Sequence, residues 1–112
     1  MSWIVEDSAQ GPAVRWEGEG WAVPDARSAA DVVGAAWSAG AVVVIVPTSA
    51  LPPDFYRLQT GLLGELTQKM SNYGLRLVVC GTLPPEATQS ASFSAYVLEA
   101  NKGGTVRFVE RP

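Results

Sequence analysis

Residues 41–46, AVVVIV, and residues 75–80, LRLVVC, decide how this chain folds. Each run is short, rich in aliphatic side chains and bounded by Gly40 and Pro47 or by Gly74 and Gly81. Such runs read as strands buried on both faces, the pattern of a parallel sheet covered by helices. Between them lies a loop, Thr48 to Asp54, carrying Pro52-Pro53, and then a helical stretch from about Tyr56 or Leu58 to Asn72. Leu62, Leu66, Met70 and Tyr73 recur there at helical spacing with Leu63 beside them, and Gly74 stops the helix. Strand, helix and strand in this order form a crossover unit, which is right-handed by rule.

The same alternation extends in both directions. Upstream, Ser28 can cap a first helix with Asp31 three residues on, a weakened capping box. Val32, Val33, Ala36 and Trp37 then supply a core face, and Gly40 ends the element. Before it, Trp3 to Glu6 and Ala13 to Glu17 read as two strands joined by a turn with Ser8, Gly11 and Pro12. Glu17-Gly18-Glu19-Gly20 breaks the second, and Trp21-Ala22-Val23 is expected to rejoin the sheet briefly. Downstream come a loop from Gly81 to Glu86, a third helix over roughly Gln89 to Asn101 with Phe93, Tyr96, Val97 and Ala100 inward, and a last strand from Thr105 to Val109. The expected fold is a single α/β domain over residues 1–112, order β-β-α-β-α-β-α-β, with a mixed, mostly parallel central sheet and helices packed on it.

Composition narrows the function classes. Of 112 residues, 47% are hydrophobic and 17% charged, which is globular rather than disordered composition. The net charge is −3 and the eight Lys and Arg are scattered singly, so no basic stripe marks a nucleic-acid partner. The longest apolar run, Ala41 to Pro47, is far too short to span a bilayer, and no membrane partner is expected. Met1-Ser2-Trp3-Ile4 runs at once into Glu6 and Asp7, without the pattern of a secretory leader. Histidine is absent and Cys80 is the only cysteine, so a His-dependent triad cannot be built and a zinc site is not expected. Cys80 sits in an apolar run and reads as a buried, inert thiol. No Gly-rich phosphate loop follows a strand. No catalytic residue, metal or cofactor is therefore expected, and a cytoplasmic location is.

From Phe55 to Tyr73 the residues carry a pattern: Phe55-Tyr56-x-Leu58-x-Thr60-Gly61-x-x-Gly64-Glu65-x-x-Gln68-Lys69-x-x-Asn72-Tyr73. It resembles a bacterial family of unknown function whose signature runs Phe-Phe-x-Leu-x-Thr-Gly-x-Ala-Gly-Glu-x-x-Gln-Lys-x-x-Asn-Tyr. The family continues with an apolar strand ending in Gly, a helix closing on Glu-Ser-Asn-x-Gly and a strand ending Phe-Val. Leu75 to Gly81, Glu99 to Gly103, and Phe108-Val109 look like these parts, so the likeness covers about Ser28 to Val109. Leu63, Thr82 and Ala100 depart from it, standing where the family has Ala, Asp and Ser. The pattern is more distantly similar to STAS domains, the fold of bacterial anti-sigma factor antagonists. Their phosphorylated Ser falls at Gln59 and the Asp before it at Leu58, which leaves Thr60 as the one hydroxyl able to accept phosphate there.

The candidate partner-binding residues are Thr60, Gly61, Glu65, Gln68, Lys69 and Asn72. The last four share one helix face, opposite Leu62, Leu66 and Met70. That face is either a solvated surface with a Glu65–Lys69 pair or a recognition surface whose amides specify a partner. Thr60 caps the helix or accepts phosphate. Gly61 and Gly64 allow another backbone to come close. At the end of the third helix Asn101 or Gly103 forms the C-cap, and Glu99, set against the helix dipole, needs a local partner such as Lys102. Trp37 is expected in the core. Trp3, Trp16 and Trp21 lie on the N-terminal strands, where they are core or line a homodimer contact along the sheet edge. The reading is a non-catalytic cytoplasmic interaction module, regulatory by analogy to STAS domains, acting through the second helix and its preceding loop on an unknown partner protein. The alternative is a small-molecule or lipid-binding domain with a pocket between sheet and helices.

Overall fold

The computed structural model describes residues 2–110. Two strands come first, β1 (Trp3–Ser8) and β2 (Gly11–Trp16), paired antiparallel through the two-residue turn Ala9-Gln10. Helix α1 (Ser28–Ala39), β3 (Val43–Pro47), α2 (Leu62–Asn72), β4 (Arg76–Cys80), a one-turn helix α3 (Pro85–Thr88), α4 (Ala91–Ala100) and β5 (Val106–Val109) follow. Among the described residues the sheet has five strands in the order β1-β2-β3-β4-β5, and every pair after the first is parallel.

Sheet order equals chain order, and that places the helices. Each right-handed crossover steps in the same direction, so every helix lands on the same face. The buried side chains of α1, α2, α3 and α4 accordingly share one core with Val14, Val44, Val46, Leu77, Val79, Val106 and Phe108. The opposite sheet face carries only strand residues in its smaller cluster, Ala13, Val43, Ile45 and Cys80, with Val78 and Val109 at its margin. β3 is buried on both sides as expected, Val43 to 1% and Ile45 to 4% exposure, but helices cover only one of them. Over the other leans the β1–β2 turn, where the Ser8 hydroxyl donates to the Gly11 carbonyl and accepts from the Gln10 N–H.

Several elements differ from expectation for local reasons. Asp25, not Ser28, closes the start of α1: its carboxylate accepts from both the backbone N–H and the hydroxyl of Ser28. Trp21-Ala22-Val23 is not a strand; Ala22 donates its N–H to the Ala50 carbonyl and, with Val23, drops into the core. The expected loop before the last long helix contains α3, because Pro85 at its first position is preset for a helical turn. Ser90 then caps α4, accepting from the Phe93 N–H at 3.1 Å.

Candidate functional site

The loop entering α2 is a chain of three 3-10 turns, Thr48–Ala50, Pro53–Tyr56 and Leu58–Thr60. Phe55 and Tyr56 pin it. Both are buried, and their rings lead edge-on through Phe93 to Phe108, with centroids 5.2–5.7 Å apart. The Tyr56 hydroxyl donates to the Thr48 carbonyl at 2.7 Å, and burial, then Glu86, pushes its pKa above the ordinary tyrosine value. α2 therefore begins at Leu62, later than Tyr56 or Leu58, because Gly61 at φ 81° turns the chain out of the preceding 3-10 turn.

Thr60 is exposed, but its hydroxyl faces its own loop. It lies 2.7 Å from the Asp54 carbonyl and 2.9 Å from that of Arg57, and accepts from the Leu62 N–H at 3.4 Å. Phosphate transfer to it would first require those carbonyls to be released. Glu65, Gln68 and Asn72 are exposed and Lys69 is half-buried; the stripe flanks the face of Leu62, Leu66 and Met70 and does not oppose it, because Lys69 stands about two turns after Leu62. The expected Glu65–Lys69 pair is not among the ion pairs of the described residues, which are Glu6–Arg15, Asp54–Arg57 and Glu99–Lys102. Gln68 Nε2 instead donates to Asn72 Oδ1 at 2.9 Å, which orients both amides. Apart from the adjoining turns of α2 itself, none of the described residues comes within 4 Å of where a Cβ on Gly64 would sit, so no other element packs its backbone against Gly64.

Two aromatic side chains expected inside are outside. Trp37 is 76% exposed and Tyr73 53%. They flank a groove of about 340 Å³ between the last turn of α1 and the end of α2, floored by Val33, Ala41 and Leu75. Tyr73 follows Asn72 as the residue that ends α2, and the groove lies beyond the polar stripe, none of whose residues lines it. Trp3 and Trp16 are half-buried and meet edge to face at 5.1 Å, while Trp21 is exposed.

Asn101 is not a left-handed cap; its backbone stays helical. Its side chain crosses to β5, donating to the Phe108 carbonyl at 3.0 Å and accepting from the Phe108 N–H at 2.8 Å. Glu99 does find Lys102, at 3.2 Å.

Among the described residues, no three of Asp, Glu, Cys or His are placed to hold a metal ion, and no helix is long and apolar enough to cross a membrane. Cys80 is buried. A crevice of about 290 Å³ opens at the carboxyl ends of β4 and β5, between the sheet and α3–α4, lined by Val79, Thr82, Leu83, Val97 and Phe108 among others. On the helix-free face, sequence reasoning missed Arg76 and Arg107. The signal was there: each interrupts an apolar strand at a position that faces away from the helix-side core.

The chain is thus a mixed-sheet α/β protein with its helices on one face and a polar-aromatic surface on α2. It belongs to the family described as domain of unknown function (DUF4180), whose model matches residues 9–112. No curated protein and no solved structure matches it.

Proposed function

We propose that this chain is a non-catalytic, cytoplasmic interaction module of bacterial origin, STAS-like in fold and regulatory in role, that docks a partner protein on α2. The docking surface comprises Thr60, Gly61, Glu65, Gln68, Lys69 and Asn72 and extends to Tyr73 and Trp37. The observation that carries this reading is the pair of exposed aromatics that flank the groove at the ends of α1 and α2. Exposed Trp and Tyr beside a groove are the side chains that most often dominate protein–protein binding energy. Oriented amides next to them supply specificity more than affinity. The dispersed carboxylates support a non-catalytic role. A second copy of the chain is assigned to the free edge of β1, whose Val5 is 63% exposed.

The test is capture from host lysate on immobilised wild type and on a Trp37→Ala/Tyr73→Ala variant of unchanged fold. The variant is expected to hold the partner at least tenfold less tightly; equal retention by both baits contradicts the reading. A second reading, a small apolar or lipid ligand between sheet and helices, is favoured by the crevice beside Leu83 and Val97. Ligand-induced shifts confined to those residues would support it in place of the first.

A further inference from the structure

The helix-free face of the sheet is built in rows. One row runs Ile4, Arg15, Ile45, Val78, Arg107 across all five strands, and the next includes Ala13, Val43 and Arg76. Aliphatic side chains form the middle of the face and arginines its margins. At one margin Arg15 is spent: its guanidinium holds both Glu6 carboxylate oxygens, at 2.8 and 2.9 Å. At the other margin the charge is free. Among the described residues, four cations stand outside any ion pair, namely Arg27, Lys69, Arg76 and Arg107. Two of these four, Arg76 and Arg107, line a single crevice with Gln10 and Thr105.

That crevice adjoins a second one. Val43, Ile45, Val78 and Val109 floor a mostly apolar pocket of about 150 Å³, roofed by the Ser8–Gln10 turn. Gln10, Val78 and Arg107 line both spaces. No Asp or Glu lines either, in a chain where acids outnumber bases eleven to eight. Space of this size between aliphatic side chains suits a benzene-sized group. Arginine matches a carboxylate bidentately. The Ser8 hydroxyl fixes the backbone of the hairpin turn that carries Gln10, and the exposed Gln10 side chain lies beside both spaces.

We infer that this face binds a small organic anion, with a benzene-sized apolar body in the pocket and its carboxylate against Arg107 and Arg76. The site lies across the sheet from α2 and is independent of the partner surface proposed above. The test is a methyl and amide NMR titration of the full chain with sodium benzoate, benzyl alcohol and sodium phosphate in parallel. Benzoate is expected to give saturable shifts at Ile45, Val78, Val109 and Gln10 in the millimolar range or below. Benzyl alcohol, equal in shape but uncharged, is expected to bind at least tenfold more weakly, and phosphate to leave the apolar floor unshifted. Both arginines are exposed, so Arg107→Ala and Arg76→Ala keep the fold; Arg107→Ala is expected to weaken benzoate at least tenfold and Arg107→Lys by less. The inference is overturned if benzoate gives no saturable shift up to its solubility or shifts the Leu83–Val97 crevice instead. It is equally overturned if benzyl alcohol or Arg107→Ala matches the affinity of the wild type for benzoate, or if phosphate reproduces the benzoate shifts. Should a variant fail to fold, the comparison of the three probes on wild type decides.

Discussion

Asn101 does at one position what a further strand would do along the whole of β5. Its amide engages both backbone groups of Phe108, on a strand whose only sheet neighbour among the described residues is β4. Unpaired edge groups invite pairing with other chains. Asn101→Ala is expected to lower unfolding stability by about 1–3 kcal/mol, since both Phe108 groups lose their partner. Denaturant titration measures this, and an unchanged midpoint would refute the role. At the opposite edge of the sheet, Glu6 and Arg15 set a pH dependence. The hydrogen bond from Arg15, opposed in part by burial and aided by its charge, holds the Glu6 carboxyl below its ordinary value of 4.5. A depressed carboxylate contributes stability that is complete above the unfolded value and is lost as pH falls through the folded one. Stability should therefore drop as pH descends below 4.5. Arg15→Gln should reduce that acid-side slope; an identical slope in the variant would assign it to other carboxylates. An Asn two residues before Gly-Gly gives no sign that it reaches forward to a strand, so local sequence suggested a left-handed cap that the helical backbone of Asn101 does not form.

Among the elements, α2 carries the functional argument, and two of its glycines make opposite predictions. Gly61 holds a left-handed conformation at φ 81°, and Gly61→Ala should cost about 1–2 kcal/mol. Gly64 is an ordinary helical residue with open space where a Cβ would stand, so Gly64→Ala should stabilise the chain by roughly 0.5–1 kcal/mol. A glycine that weakens its own helix with nothing of the chain against it leaves room for something outside. Gly64→Ala should thus raise thermal stability while weakening partner capture; higher stability with capture unchanged or stronger would show that no partner uses the space beside Gly64. The core face of this helix was readable because Leu62, Leu66 and Met70 follow the helical period. Tyr73 follows the same spacing yet lies past the end of the helix, and Trp37 sits in the last turn of α1, exposed beside the buried Val33 and Ala36. Periodicity identifies a face but not how far the sheet beneath it extends, so both aromatics were assigned to the core.

For the molecule as a whole, the decisive fact is that strand order in the sheet equals strand order in the chain. The alternation of strands and helices was legible, as were the antiparallel N-terminal pair and the parallel remainder. The one-sided placement of the helices was not, because it depends on the direction of each crossover step, which local pattern does not record. The two faces consequently divide the two proposals: partner docking on the α2 side, and a carboxylate pocket with Arg76 and Arg107 on the bare side. The central claim is the docking surface, and capture with three folded baits tests it most directly. These are the wild type, Glu65→Ala/Gln68→Ala/Asn72→Ala on α2, and Arg76→Ala/Arg107→Ala on the far face as control. The account predicts a partner held by the wild type and the control and lost by the α2 variant. If all three baits hold the same proteins, or the control alone loses them, α2 is a solvated surface and the proposed function fails.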